Sequence, residues 1–223
     1  MFTDIIKQFE NITEAVKQSD LQEVPFRHLF IREVISYDAY RTITELNAHD
    51  DLEMTDLHGR KEYRIIDNND AWIWEEQSNK LFQELCKKFR LGKVTEEQVG
   101  CTATFWEDSE HFTITDIHTD AFYDTDLTIS CQIYLPSDES QIDLGTKLYR
   151  YIGDDIEQDA NQDVGTKYPH QAKHDKLDKF EHSRSVPFQP NSMFCTVNSK
   201  DSWHQAPVIT EGIRKSLMLR FKV

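Results

Sequence analysis

Leu127-Thr128-Ile129-Ser130-Cys131-Gln132-Ile133-Tyr134-Leu135 alternates apolar and polar residues without a break. On a strand, Leu127, Ile129, Cys131, Ile133 and Leu135 share one face, and Thr128, Ser130, Gln132 and Tyr134 share the other. The first face predicts packing on a core. The second is polar yet uncharged, which suits a wet cavity better than bulk solvent.

Short strands are expected on both sides of this one. Thr102–Trp106, Phe112–Ile117, Lys147–Ile152, Val186–Phe188, Met193–Asn198 and Ser216–Val223 carry the pattern, so the region from Gly100 onward reads as a β core. The first 99 residues read instead as helical support. Phe2, Ile5, Ile6, Phe9, Ile12 and Val16 recur at helical spacing. Pro25 ends that region, and Arg27–Ile35 reads as a strand. Ser36 or Asp38 is placed to cap a helix reaching about Leu46. Asn47–Asn69 has no clear period and reads as loop. Leu81, Phe82, Leu85, Cys86 and Phe89 form one face of a helix starting near Ser78, and Gly92 is the expected stop. Gly153–Arg184 is charged and poor in large apolar residues, so it is either a solvated insertion or a lid beside a site. Helices followed by many short strands predict a mainly β fold with helices on one sheet, closed or double-sheeted to protect the strand edges. The 223 residues suffice for one domain spanning 1–223.

Composition excludes several function classes. Lys plus Arg total 25 against 40 for Asp plus Glu, a formal charge of −15, which disfavours nucleic acid and anionic membranes as partners. A small anion would bind only where Arg or Lys is concentrated locally. No apolar run approaches the roughly 18 residues a membrane span needs, and no basic-then-apolar leader is evident. Cys86, Cys101, Cys131 and Cys195 are scattered with no Cys-x-x-Cys pair, which argues against zinc ribbons and disulfide frameworks. A cytoplasmic location with free thiols is the expectation. The oligomeric state is left open.

His118-Thr119-Asp120 puts an imidazole and a carboxylate two residues apart, on one side of an extended chain. A further histidine stands in Ser202-Trp203-His204-Gln205-Ala206-Pro207, between two predicted strands. Two imidazoles and one carboxylate make a facial triad suited to non-haem Fe(II), with positions left for other ligands. Ten residues after His204 comes Arg214-Lys215-Ser216. Arg214, Ser216, Met218 and Arg220 share one face of the last strand, and Leu217, Leu219 and Phe221 the other. Arg214 and Ser216 together can bind a carboxylate, by a bidentate fork and a hydroxyl. Arg220 is the reserve anchor. His111 is not expected to be a ligand, His170, His174 and His182 are expected on the surface of the insertion, and Trp106 and Trp203 either line the pocket or pack, burial being the commoner role for aromatics.

This order of motifs resembles the 2-oxoglutarate/Fe(II)-dependent dioxygenase superfamily, and most nearly its prolyl-4-hydroxylase-like branch. Ser130–Leu135 resembles that branch's strand after the His-x-Asp motif, Gly145-Thr146 its small-residue turn, and Met193–Val208 the segment with the distal histidine. The resemblance covers about Thr102 to Val223 and implies a double-stranded β-helix (a cupin-like jelly roll). It implies iron held by His118, Asp120 and His204, and 2-oxoglutarate held by Arg214, Ser216 and Tyr134. O2 would be the second co-substrate, with ascorbate a candidate accessory. The implied reaction hydroxylates an unactivated C–H bond and releases succinate and CO2. A carboxylate at Asp120 favours hydroxylation or desaturation over halogenation, where a small residue stands. Pro136 and Leu144 depart from the branch's usual Asn and Gly, so the substrate class stays open among a peptidyl residue, an amino acid and a small metabolite. Two alternatives remain: a non-catalytic metal-binding jelly-roll module, and a cupin-type metalloenzyme that does not use 2-oxoglutarate.

Overall fold

The computed structural model describes residues 2–45, 53–64, 71–92, 100–120, 128–162 and 169–222. The first part holds α1 (Phe2–Gln18), β1 (His28–Arg32), α2 (Tyr37–Glu45), β2 (Glu53–Leu57), β3 (Arg60–Arg64) and α3 (Ala71–Lys88). Then come β4 (Gly100–Asp108), β5 (Thr128–Tyr134), β6 (Lys147–Tyr151), α4 (Ile156–Asp159), β7 (Ala160–Gln162) and β8 (Pro169–Ala172). The chain ends with β9 (Phe180–Ser185), β10 (Ser192–Val197), β11 (His204–Gln205) and β12 (Arg214–Lys222).

Seven antiparallel strands form the major sheet in the order β1-β10-β5-β12-β4-β3-β2. The alternation of β5 and β12 dictates its two faces. Ile129, Cys131, Ile133, Leu217, Leu219 and Phe221 are buried in the same core as Phe9, Ile12 and Val16 of α1 and Leu81, Phe82, Leu85, Cys86 and Phe89 of α3. Burying each large apolar side chain stabilises the fold by about 1.5–3 kcal/mol, so this helix-covered face carries most of the packing energy. The side chains of Phe2, Ile5 and Ile6 fall outside the described set, as do Leu46, Leu127 and Val223.

The second layer is a composite. β11, β6 and β9 form one small sheet, and β7 and β8 form another. His118 joins them: it bridges His204 on one side and Gln171 of β8 on the other. Its backbone N–H donates to His204 O at 2.8 Å and its carbonyl accepts from His204 N at 2.9 Å. On the opposite edge Thr119 N donates to His170 O and Ala172 N to Ile117 O, each at 2.9 Å. The result is a two-layer jelly roll with helices on the major sheet, as the pattern predicts.

Several expectations need correction. Residues 53–64 are a hairpin, not loop: β2 and β3 turn at His58 (φ +55°) and Gly59 (φ +82°), the pair of left-handed residues that a two-residue hairpin turn requires. The rest of 47–69 lies outside the described residues. The helix expected from Ser78 begins at Ala71 and stops before Gly92. Its left-handed residue is Arg90 (φ +56°), with Leu91 N donating to Cys86 O at 2.9 Å and Arg90 N to Lys87 O at 3.1 Å, a Schellman stop built without glycine. Ser36 does cap α2, accepting from Ala39 N at 3.3 Å.

Phe112–Ile117 is not a strand, because its backbone bonds to the hairpin turn and to itself: Thr113 N donates to His58 O at 3.1 Å and Phe112 N to Ser109 O at 2.9 Å. Val186–Phe188 lies just past β9. The 153–184 insertion is not a solvated loop either. Ala160, Ala172 and Phe180 are buried with Ile117 and Trp203, and β7 and β8 extend the minor sheet beside His118. Residues 163–168 lie outside the described set.

Candidate active site

The three predicted ligands converge. The ligand atoms of His118, Asp120 and His204 all lie within 4.8 Å of one another. Asp120 Oδ1 is 3.7 Å from His118 Nε2, and its Oδ2 is 3.7 Å from His204 Nε2. Local backbone geometry aims the rings. His118 Nδ1 lies 2.8 Å from the Asp116 carbonyl and His204 Nδ1 lies 2.9 Å from the Ser202 carbonyl. Each Nδ1 must therefore carry the proton and donate it, which leaves the Nε2 lone pairs facing Asp120. Such a bond to the other ring nitrogen fixes the tautomer and orientation of metal-binding histidines.

Electrostatics agree with that arrangement. Burial holds the His118 pKa below its ordinary value, reinforced by His204, so the ring is neutral and able to bind a cation. Burial alone would raise Asp120, but His204, His118, Arg220 and His170 together hold it down, at about 2. Donors about 2.1 Å from an octahedral ion lie roughly 3 Å apart, so these residues fit a divalent cation after a small contraction.

The triad opens into a cavity of about 80 Å³ between the two sheets. One water needs about 10–15 Å³ of such space, so several waters or a small diacid fit. Residues on the polar face of the major sheet form its floor in transverse rows set by strand register. Arg214 pairs with Asp108, and Asp108 pairs with Arg60. Trp106 pairs with Ser216, which pairs with Tyr134; Met218 pairs with Gln132, and Arg220 with Ser130. The cavity therefore concentrates Arg60, Arg214 and Arg220 within a chain of net charge −15.

Arg214 is the most constrained of these, with 1% of its surface exposed. Its Nε donates to Leu144 O at 2.8 Å and Nη1 to Asp108 Oδ2 at 2.9 Å. The guanidinium also stands 5.5 Å from the Tyr134 ring and 5.1 Å from the Phe188 ring. Ser216 and Tyr134 stand one bond behind the cavity wall. Ser216 Oγ accepts from Gln132 Nε2 at 2.9 Å, and the Tyr134 hydroxyl lies 2.7 Å from Thr146 Oγ1, where Gln132 and Thr146 line the space. Burial raises the Tyr134 pKa against the lowering effect of Arg214, so it stays a neutral hydroxyl.

Other assignments divide. His111 is 81% exposed and beside Glu110, and it is not part of the His118–Asp120–His204 cluster. His174 and His182 are exposed as expected, but His170 is half-buried with its ring centre 6.0 Å from that of His118. Trp203 packs against Phe180, whereas Trp106 lines the cavity. Its indole Nε1–H has no hydrogen-bond partner among the described residues, a donor suited to a polar ligand. Arg60 and Asp108 escape sequence reasoning altogether. The usable signal was His58-Gly59, a hairpin turn that carries Arg60 to the cavity.

No family model matches the chain, and no curated protein matches it. Solved structures do. Among them are a prolyl 4-hydroxylase from Phytophthora capsici (12% identity, TM-score 0.53, covering 99% of this chain and 66% of that one). The epimerase SnoN in complex with Fe3+, alpha ketoglutarate and nogalamycin RO matches at 10% identity and TM-score 0.50, over 96% of this chain and 83% of that one. The chain shares the fold of these structures. HygX from Streptomyces hygroscopicus, with nickel and 2-oxoglutarate bound, shares it at 11% identity and TM-score 0.50, over 87% and 82% of the two chains.

Proposed function

We propose that this protein is an Fe(II)- and 2-oxoglutarate-dependent dioxygenase that hydroxylates an unactivated C–H bond of a small molecule or peptide. One observation carries the reading: a two-histidine, one-aspartate cluster and a buried arginine share one cavity. Neither element alone would suffice, because the fold also hosts an epimerase and fold does not choose chemistry.

His118, Asp120 and His204 would hold the metal on one side of the ion. Bound there, ferrous iron supplies the oxygen chemistry that converts 2-oxoglutarate and O2 to succinate, CO2 and a hydroxylated product. Arg214 would take the distal carboxylate of 2-oxoglutarate by charged hydrogen bonds. Gln132 and Thr146 orient that end of the cavity, fixed from behind by Ser216 and Tyr134. Phe112, Ile114 and Met218 line the remaining wall and limit water around the reacting groups. The whole of 1–223 acts as one domain in this reading, since α1 and α3 complete the core beneath the anchor strand.

The test is anaerobic titration of Fe(II)-loaded protein with 2-oxoglutarate, followed by visible absorption, and succinate release in air. Arg214→Ala is expected to weaken 2-oxoglutarate about 10- to 100-fold, the worth of a lost charged hydrogen bond, with metal affinity little changed. His118→Ala should abolish both. Wild-type protein that binds iron but never 2-oxoglutarate would leave the metal module and overturn the enzyme.

A further inference from the structure

Arg60, Asp108 and Arg214 form a positive–negative–positive row running straight across β3, β4 and β12. Asp108 is 0% exposed and bonds both arginines. Arg60 Nε donates to its Oδ1 at 2.5 Å and Nη2 to Oδ2 at 3.1 Å, while Arg214 reaches the same Oδ2. The Arg60 guanidinium lies 3.7 Å from the Trp106 ring centre and 4.4 Å from that of Phe112, and it lines the cavity.

A buried carboxylate paired with Arg214 alone would cancel the charge that a bound carboxylate needs. Desolvated ion pairs hold little attraction for a third ion, and the leftover charge decides whether an anion is welcome. With Arg60 present the row carries one net positive charge. A dicarboxylate's far end brings the row to neutrality; without Arg60 the same ligand would leave it negative. We propose that Arg60 is a positioning residue of the co-substrate site: it offsets the charge of Asp108, so that Arg214 keeps its own charge for the distal carboxylate. This rests on the reading of Arg214 as the 2-oxoglutarate anchor. It also gives a function to the β2–β3 hairpin, which delivers Arg60 from outside the motif-bearing region.

The test compares Arg60→Met, which keeps the apolar stem between Trp106 and Phe112, with Arg60→Lys and Asp108→Asn. Each is loaded with Mn(II), and the dissociation constants of 2-oxoglutarate and of pyruvate, which lacks the distal carboxylate, are measured by calorimetry. A unit charge about 8–12 Å from a carboxylate, at an effective dielectric near 20, is worth roughly a 10- to 30-fold change. Arg60→Met should therefore weaken 2-oxoglutarate about that much and leave pyruvate unchanged, and Arg60→Lys should restore most of the loss. Asp108→Asn should lower the melting temperature yet leave 2-oxoglutarate as tight as in wild type or tighter. If Arg60→Met weakens both ligands equally, or Asp108→Asn weakens 2-oxoglutarate as Arg60→Met does, the row is merely structural and the proposal falls. Wild-type protein that binds neither ligand would instead sink the co-substrate reading beneath it.

Discussion

Gly145→Ala is a substitution of one methyl group that should damage the proposed co-substrate pocket while sparing the proposed metal ligands. Gly145 has ordinary extended backbone (φ −83°, ψ 174°), so the penalty is one of space. A Cβ there would lie 1.6 Å from Val186 O, 2.7 Å from Val186 C and 2.9 Å from Phe188 N. Restoring even a 3.0 Å separation requires a shift of about 1.4 Å between two backbone segments. Those segments are tied by Val186 N donating to Thr146 O and Phe188 N to Ile142 O, each at 2.8 Å. Residue 144 also supplies the carbonyl that orients Arg214 at 2.8 Å, and Thr146 supports Tyr134. Bonds of that length do not survive such a shift. Losing two or three of them at a buried site costs about 3–6 kcal/mol. For a chain of this size each kcal/mol moves the melting temperature by about 2–4 °C, so a fall of roughly 6–24 °C is expected. Differential scanning fluorimetry reads the fall, and calorimetry should show weaker 2-oxoglutarate with metal affinity retained. A melting temperature within about 2 °C of wild type, with unchanged 2-oxoglutarate affinity, would refute both the close approach and its coupling to Arg214.

Two further outcomes follow from elements away from the cavity. His28 is 1% exposed with its Nδ1 2.8 Å from Phe26 O, and burial, aided by Arg184, holds its pKa below the ordinary 6.5. The unfolded chain then binds more protons than the folded one in that range. The stability due to neutral His28 is complete above pH 6.5 and is lost as pH falls from there to the depressed folded value. His28→Gln should flatten the acid side of a melting-temperature profile; an unchanged slope would exclude His28 as its source. Arg90 sits at φ +56° in the stop of α3, where a side chain costs about 1–2 kcal/mol. Its ion pair with Glu23 at 3.0 Å is solvent-exposed and worth at most about 1 kcal/mol. Arg90→Gly should therefore be neutral or stabilising by up to about 1 kcal/mol in urea denaturation, and a marked loss would show that the ion pair dominates.

The parts of this molecule that are legible in its sequence are those in which one local rule decides. β5 and β12 each have one apolar face, so a one-residue register slip would expose the whole core side, and alternation alone fixes which residues face the cavity. His118 and Asp120 are visible because two residues on extended chain share a side. Their convergence with His204 depends instead on a pairing across 86 positions, which the order of motifs suggested and only the bridge between His118 and His204 makes explicit. The β2–β3 hairpin escaped because Glu53, Asp56, Lys61, Glu62 and Arg64 leave no apolar alternation to detect. The insertion escaped for a related reason. Its core contribution comes from small or isolated residues, Ala160, Ala172 and Phe180, rather than from a periodic stripe. Asp108 looked like an ordinary strand-end carboxylate, since nothing local marks it as the partner of arginines 48 residues before and 106 after it.

The two sheets divide the chemistry between them. The proposed metal ligands come from the minor sheet, where His118 and His204 are mutual bridge partners and each ring is pinned by its own backbone two residues earlier. The proposed anion anchor, Arg214, comes from the major sheet, where it is held by cross-strand charge and by the 144–146 turn. On the proposed function, this separation would let a chain of net charge −15 receive a dicarboxylate. Surface charge is screened over about 8 Å at physiological ionic strength, whereas buried charges on cavity walls are screened much less. Inside the cavity the relevant sum is therefore local: three arginines against Asp108 and Asp120, one positive charge in excess before any metal arrives. A divalent ion raises that excess to three, and a dicarboxylate lowers it again to one. Metal and co-substrate would then be electrostatically coupled through space even though different sheets would hold them, so each should bind more tightly in the presence of the other.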